Sequence, residues 1–228
     1  MSRRWQAALL LAALVGTYQV AARASSASMP SSSGPAARSL TPEERAIESY
    51  NSGIEHRDKG LKSEQKAAAA PAADQAKEQK KALDEYQKAL KDFTRATDLN
   101  PQLFQAYNGM GFAYRKAGDF ARALEMYDKA LQMAPGFPDA IEYRAEAFLA
   151  LNRIDDAKQA YLALFASDRT QADILMTAMT EWIARRRADA AGVDPAALEA
   201  FEAWVKQRGA VAHDTVQMAI SQTRSTWH

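Results

Sequence analysis

The chain has 228 residues, 29 Lys and Arg against 28 Asp and Glu for a formal net charge of +1, and no cysteine. So even a balance argues against a nucleic-acid binder, the missing thiols exclude disulfides, thiolate metal sites and a lipid-modified cysteine, and the length suits one domain with a sizeable core. Only His56, His213 and His228 could serve as histidine bases or ligands, and none stands at a metal or triad spacing, so neither catalysis nor a cofactor or metal is expected.

At the amino terminus, Arg3 and Arg4 precede an apolar run from Ala7 to Val15, followed by small residues at Ala22-Arg23-Ala24 or Ser25-Ser26-Ala27. This is the layout of a secretory signal peptide over residues 1–27, and it predicts export, to a bacterial periplasm. The alternative is an uncleaved membrane anchor, if Thr17 to Ala22 is drawn into the bilayer. Ser2-Arg3-Arg4-Trp5 also has a faint likeness to a twin-arginine signal, from which Gln6 and Ala7 depart. Removing residues 1–27 takes away three arginines and no acid and moves the formal charge from +1 to −2. Residues 28–40, rich in Ser and poor in apolar side chains, read as a flexible linker.

Thr41-Pro42-Glu43-Glu44 has the form of a capping box and opens the first helix. Tyr50, Asn51 and Gly53 look like the start of a helical repeat, and Gly60 like its turn. The second helix resumes only around Tyr86, which implies an insertion at about 61–82. That insertion, LKSEQKAAAAPAADQAKEQKKA, is made of strong helix formers interrupted by Pro71. Two helical extensions meeting near Pro71 would form an arm projecting roughly 18 Å. A solvated Ala/Lys tether is the simpler reading, and a coiled coil is disfavoured for want of a Leu or Ile heptad.

From Tyr86 the chain repeats itself at a period of 34. Tyr86, Ala89, Phe93, Ala96 and Pro101 recur as Phe120, Ala123, Tyr127, Ala130 and Pro135, then as Ile154, Ala157 and Tyr161. Such a period indicates stacked supersecondary units, none able to bury its apolar face alone. Each unit holds two helices by apolar spacing, for example Tyr107, Met110, Gly111 and Tyr114 followed by Phe120, Ala123, Tyr127 and Ala130. Gly111 and Ala123 leave room for close approach, and Gly118-Asp119 supplies a helix stop and a cap. Gly109-x-Gly111 lies inside a helix and so is no phosphate loop.

These residues resemble the tetratricopeptide repeat family. The best copy spans residues 104–137, with Tyr107, Met110, Gly111, Tyr114, Ala123, Tyr127, Ala130 and Pro135 at the signature points; the next, 138–171, keeps Ala145, Phe148, Ala157 and Tyr161 but has Leu164 and Arg169 where a small residue and proline are usual. A first repeat over 46–103 completes a repeat domain at 41–171. The resemblance implies an all-α, right-handed α-solenoid of about three helix pairs with an extended first hairpin and a C-terminal helical cap.

Past Gln171 the signature fades while helical patterning persists. Thr170 with Asp173 suggests another capping box, and Ile174, Leu175, Ala178, Met179, Trp182 and Ile183 keep one apolar face. A helix end is expected near Ala191-Gly192. Asp194-Pro195 then starts a helix with Leu198, Phe201 and Val205 inward and a stop at Gly209, and a last short helix carries Val216, Ala219 and Ile220. Residues 172–228 thus read as a cap, with Trp182, Trp204 and Trp227 as core or, alternatively, as a docking patch. Asp155 and Asp156 read as helix caps, and Arg185, Arg186 and Arg187 as a solvated helix end.

The family's usual use, carried over by position, is to hold a peptide or helix of another protein in a groove lined by each repeat's first helix. Here that groove would take Tyr50, Ile54 and Arg57, then Gln105, Asn108, Phe112, Arg115 and Lys116, then Asp139, Glu142, Glu146 and Leu149. It is divided chemically, with bases and Phe112 on one helix and carboxylates on the next. Relatives that clamp a carboxylate tail need Lys, Asn and Arg where this chain has Tyr50, Ile54, Gly109, Asp139 and Tyr143, so that ligand is not expected. The implied function is an adaptor in cell-envelope assembly, with neither nucleic acid nor a small-molecule substrate as partner, and membrane contact only through an uncleaved leader. The rival is a structural, self-associating subunit that uses the Ala/Lys arm.

Overall fold

A computed structural model describes residues 39–189 and 192–225, with side chains through residue 212. The leader and most of the Ser-rich linker lie outside the described residues, as do Trp227 and the side chains of Val216, Ala219 and Ile220. Among the described residues there are eight helices and no strand: α1 Pro42–Ala69, α2 Ala72–Leu99, α3 Phe104–Lys116, α4 Phe120–Met133, α5 Pro138–Ala150, α6 Ile154–Ser167, α7 Arg169–Ala188 and α8 Pro195–Ser225.

The capping box at the head of α1 is complete. Thr41 Oγ1 accepts from the Glu44 backbone N–H at 3.1 Å, and Glu44 Oε2 accepts from the Thr41 N–H at 2.8 Å. Beyond it α1 runs for 28 residues, about 42 Å of helix at 1.5 Å per residue. It ends because Ala70, which precedes Pro71, must take an extended backbone (φ −80°, ψ 153°). Pro71 itself heads α2, also of 28 residues. Gly60 is not a turn. The helix passes straight through it, and a Cβ there would strike the Tyr86 ring; at Gly53 a Cβ would stand 2.6 Å from the Phe93 ring. Both glycines let α1 lie close on the aromatics of α2.

The 34-residue period reappears as burial. Ala89, Ala123 and Ala157 are fully buried, as are Phe93, Tyr127 and Tyr161 one turn further on. A Cβ at Gly111 would sit 2.6 Å from the Tyr127 ring. Each of these second helices therefore presents one methyl and one ring to the preceding helix, and burial of that stripe, worth roughly 25 cal/mol per Å² of apolar area, is what binds the pair. The turns follow the same period. Gly118 takes φ +81° between α3 and α4, and Asn152, 34 residues on, takes φ 59° between α5 and α6, a left-handed conformation that Asn tolerates better than most residues.

The stack continues past Gln171. Helix α7 packs on both α5 and α6, as α5 packs on α3 and α4, and α8 packs on α7. Leu164 is fully buried in one apolar cluster with Ala172, Leu175, Met179 and Phe201, and the Arg169 guanidinium lies 3.3 Å from the centroid of the Phe165 ring. The unusual residues of the third repeat thus become packing for the cap.

Several local expectations need correction. Asp168, not Thr170, caps α7: its Oδ1 accepts from the Gln171 N–H at 3.1 Å, which puts Thr170 inside the first turn and Asp173 in the second. Asp155 and Asp156 also sit inside a first turn, that of α6, paired with Lys158 at 3.1 Å and Arg153 at 2.8 Å; they favour the helix dipole without capping it. Ile174 is exposed. Helix α8 does not stop at Gly209 but runs on to Ser225 as one element.

First helices touch along the stack, α1 on α3, α3 on α5 and α5 on α7, whereas the backbones of the second helices α2, α4 and α6 do not approach to that degree; α6 meets α8 through side chains, with the Tyr161 and Trp204 ring centroids 5.5 Å apart. A row in contact on one side and spread on the other is a curved surface, concave along the first helices. Among the described residues no helix is long and apolar enough to cross a membrane.

Candidate functional site

Helix α3 forms the middle of the concave row. Gln105, Asn108, Phe112 and Arg115 recur at spacings of three and four and share one of its faces. Phe112, only 5% exposed, is the floor. Tyr86 of α2 meets its ring edge-on at 6.0 Å, and Tyr143 of α5 does so at 5.4 Å. Three cations surround that ring: Arg57 of α1 at 6.0 Å, Arg115 at 5.3 Å and Lys116 at 5.8 Å, a geometry in which the ring quadrupole attracts each of them.

These cations are not an open basic patch. Arg115 donates through Nη1 to Glu146 of α5 and through Nε to the Tyr127 hydroxyl at 3.4 Å. Lys116 donates to Glu64, on the arm, at 2.5 Å. Arg57 donates to its neighbour Asp58 at 2.8 Å. Charges that the sequence distributes by helix, bases on α3 and acids on α5, are thus consumed across the helix interface, and the bases and acids partly neutralise each other.

The acids of α5 divide by depth. Glu146 faces Arg115 and Asp139 stands at the rim, where Gln171 Nε2 donates to its Oδ1 at 2.8 Å. Burial raises the Asp139 carboxyl above its usual range, against the opposing pull of Arg57 and with Asp168 adding to the rise. Glu142 is fully buried, and no donor reaches either of its oxygens. Burial, and then the neighbouring charge of Glu146, push its pKa well above the carboxylate range, which favours the neutral acid. Burial likewise pushes the Tyr143 hydroxyl up to about 12.

Seven of the twelve sequence-derived positions, Arg57, Asn108, Phe112, Arg115, Lys116, Asp139 and Glu146, form or border this cluster. Gln105 stands half-buried one turn before Asn108 on the same face of α3. Tyr50 and Ile54 lie half-buried against the core around Phe93, with Tyr50 and Phe93 ring centroids 5.8 Å apart. Glu142 and Leu149 are corrected: both are interior, Leu149 within the cluster that joins α5 to the cap, and neither offers a surface. The sequence reading placed Tyr143 only at a clamp position, not in the groove, and singled out neither Glu64 nor Gln171 as part of it. Tyr143 was findable, since it follows Asp139 by four and precedes Glu146 by three, which keeps it on their face. Glu64 belongs to the insertion and has no equivalent in the other repeats, so no periodic signal marks it.

One group on this face has an unmet need. Asn108, 9% exposed, has no hydrogen-bond partner for its Oδ1, an oxygen closed off from solvent by the packing around it.

Two family models, both described as Tetratricopeptide repeat, match the chain, one over residues 72–135 and the other over 114–178. Among curated proteins no sequence matches. Similar solved structures include the second TPR domain of human RPAP3, in complex with the HSP70 peptide SGPTIEEVD, at 16% identity and a TM-score of 0.44, covering 59% of this chain and 97% of that one. The Arabidopsis OM64 TPR domain is 18% identical with a TM-score of 0.41, covering 57% and 94%. The MamA protein is 21% identical with a TM-score of 0.35, covering 57% and 95%. The two family models identify tetratricopeptide repeats within residues 72–178, where Ala89, Ala123 and Ala157 and Phe93, Tyr127 and Tyr161 are buried at the same period.

Proposed function

We propose that the protein is a non-enzymatic adaptor that holds a peptide or helix of a partner protein along the concave row α1, α3 and α5, and that it does so after export, in cell-envelope assembly. The observation that carries this reading is Asn108. A buried amide oxygen without a donor costs about 1–3 kcal/mol, and a turn of the Asn108 side chain that opens this oxygen to the groove lets a bound main-chain N–H satisfy it. Around it, Phe112 offers an apolar floor, while Arg57 and Asp139 set charges of opposite sign at two edges. Such a surface fits an extended segment with both charges and one apolar side chain. Export rests on the residue pattern of 1–27 alone.

The test is photocrosslinking in the source cell from an unnatural amino acid at Gln105, compared with one at Gln159 on the outer helix α6. A partner captured from Gln105, not from Gln159, and lost in Asn108→Leu supports the groove; equal capture from both positions refutes it. Amino-terminal sequencing of the same sample decides whether the leader is removed.

A further inference from the structure

The hairpin α1–α2 has a second face, pointing away from α3. Leu61 and Glu64 reach towards Phe112 and Lys116 on the α3 side. Residues two positions away are turned about 200° around the helix, so Lys59, Lys62 and Lys66 fall on the opposite side. The contacts of Gly53 with Phe93 and Gly60 with Tyr86 fix the antiparallel register, which brings Lys59 within one residue of level with Lys88 and Lys66 within one residue of level with Lys81. Together these five lysines line a shallow trough of about 390 Å³ with Ser63, Asp84 and Glu85.

Like charges facing one another across a hairpin work against its stability, and the base of the same face shows the alternative. There Ser52 donates to Asp92 at 2.7 Å, and His56 Nδ1 lies 2.7 Å from Glu85. Towards the tip this complementarity gives way to lysine on both walls. Lys81 and Lys88 each bind a carboxylate of their own helix, Glu78 and Glu85, at 2.5 Å, and Lys59 stands 3.9 Å from Glu55. Lys62 and Lys66 have no carboxylate at ion-pair distance among the described residues.

We infer that this trough is a docking surface for an acidic, extended segment of a partner protein, separate from the concave groove. The chemistry narrows the occupant. The walls hold lysine and no arginine or aromatic side chain, so there is neither a planar fork nor a stacking platform for nucleic acid bases. The tip, residues 67–73, is alanine apart from Pro71 and lacks the bulky apolar side chains that anchor a helix in a lipid interface. From Lys59 to Lys66 the trough is roughly 10 Å long, the reach of about three residues of extended chain at 3.3 Å each. A run of three or four acidic residues would therefore place a carboxylate beside each lysine pair.

The experiment uses the full chain and a fluorescein-labelled hexaglutamate peptide, read by anisotropy at low ionic strength. The expected result is binding that weakens as salt rises and a dissociation constant at least tenfold higher in Lys62→Gln/Lys66→Gln/Lys81→Gln. Lys91→Gln, outside the trough, and Asn108→Leu, in the groove, should leave it unchanged. The single Lys66→Gln should lie between parent and triple variant. An unchanged constant in the triple variant overturns the proposal. Phosphatidylglycerol vesicles or polyphosphate bound more tightly than the peptide through the same lysines would overturn it too, by assigning the trough to lipid or phosphate.

Discussion

Gly111 shows how a single missing methyl group decides a helix crossing. In an isolated helix, Gly→Ala stabilises by roughly 0.5–1 kcal/mol. Here the added Cβ would stand 2.6 Å from the fully buried Tyr127 ring, whose hydroxyl also accepts from Arg115, so ring and guanidinium must shift together. Overpacking of this kind costs about 1–3 kcal/mol and reverses the intrinsic gain. Gly111→Ala should therefore lower the urea midpoint, and an equal or higher midpoint would show that the ring has room to move. Glu142 makes the opposite case, a side chain present where a methylene stem and a neutral head would serve. The unfolded chain releases the Glu142 proton above about pH 4.3. The folded chain holds it to higher pH, because burial and Glu146, with Asp139 behind them, outweigh Arg115. Protons are then bound more tightly by the folded state, so stability falls as pH rises from the unfolded value towards the folded one. Glu142→Gln should lose less stability than the parent between pH 5 and pH 8, measured by urea denaturation at both; parallel losses would mean the carboxyl ionises freely in the fold.

At the scale of elements, what was legible depended on whether the signal was local. Thr41 with Glu44, Gly118 with Asp119 and Asp194 before Pro195 carry their own geometry within four residues, and each marks the start of a helix in the structure. Pro71 likewise marks the joint of the long hairpin, since the residue before a proline cannot stay helical. Thr170 with Asp173 failed because Asp168, two residues earlier, offers the same chemistry and takes the cap. In the groove, the spacing of three and four identified the right face of α3, yet depth along α5 was not readable: Glu142 and Glu146 are one turn apart, and only the packing of neighbouring helices makes one interior and the other part of a surface pair. Gly209 failed for a further reason. Glycine permits a helix end without enforcing one, and α8 continues because no proline or left-handed residue stands there. Nothing lies within 4 Å of a Cβ built at Gly209, so Gly209→Ala has helix propensity to gain and no clash to offset it. It should stabilise the chain by about 0.5–1 kcal/mol and raise the α8 helical signal; a loss of stability would place an unseen neighbour against that face.

Across the whole molecule, apolar burial is arranged in successive patches along the stack. One cluster around Phe93 serves α1, α2 and α3 and takes in Met126 of α4, another around Tyr127 serves α3, α4 and α5, and a larger one from Ala145 to Val205 ties α5 and α6 to α7 and α8. A stack in which each pair touches only its neighbours gains its stability pair by pair, so an injury at one end is felt most by adjoining pairs. Phe201 is the natural place to test this. It is fully buried, and its ring lies 5.7 Å from Trp182 and 6.1 Å from Trp204, so Phe201→Ala should remove about 3–5 kcal/mol from the cap next to two of the chain's four tryptophans. Far-UV circular dichroism, by contrast, averages over the helices of the whole chain, the eight of the described residues among them. In the variant the tryptophan fluorescence change should therefore precede the main loss of helical signal as urea rises, while the long hairpin and second repeat hold. Coincident transitions would mean that the apolar clusters act as one cooperative unit, and that a segment docked on α1, α3 and α5 would feel damage to the cap as strongly as damage beside Phe112.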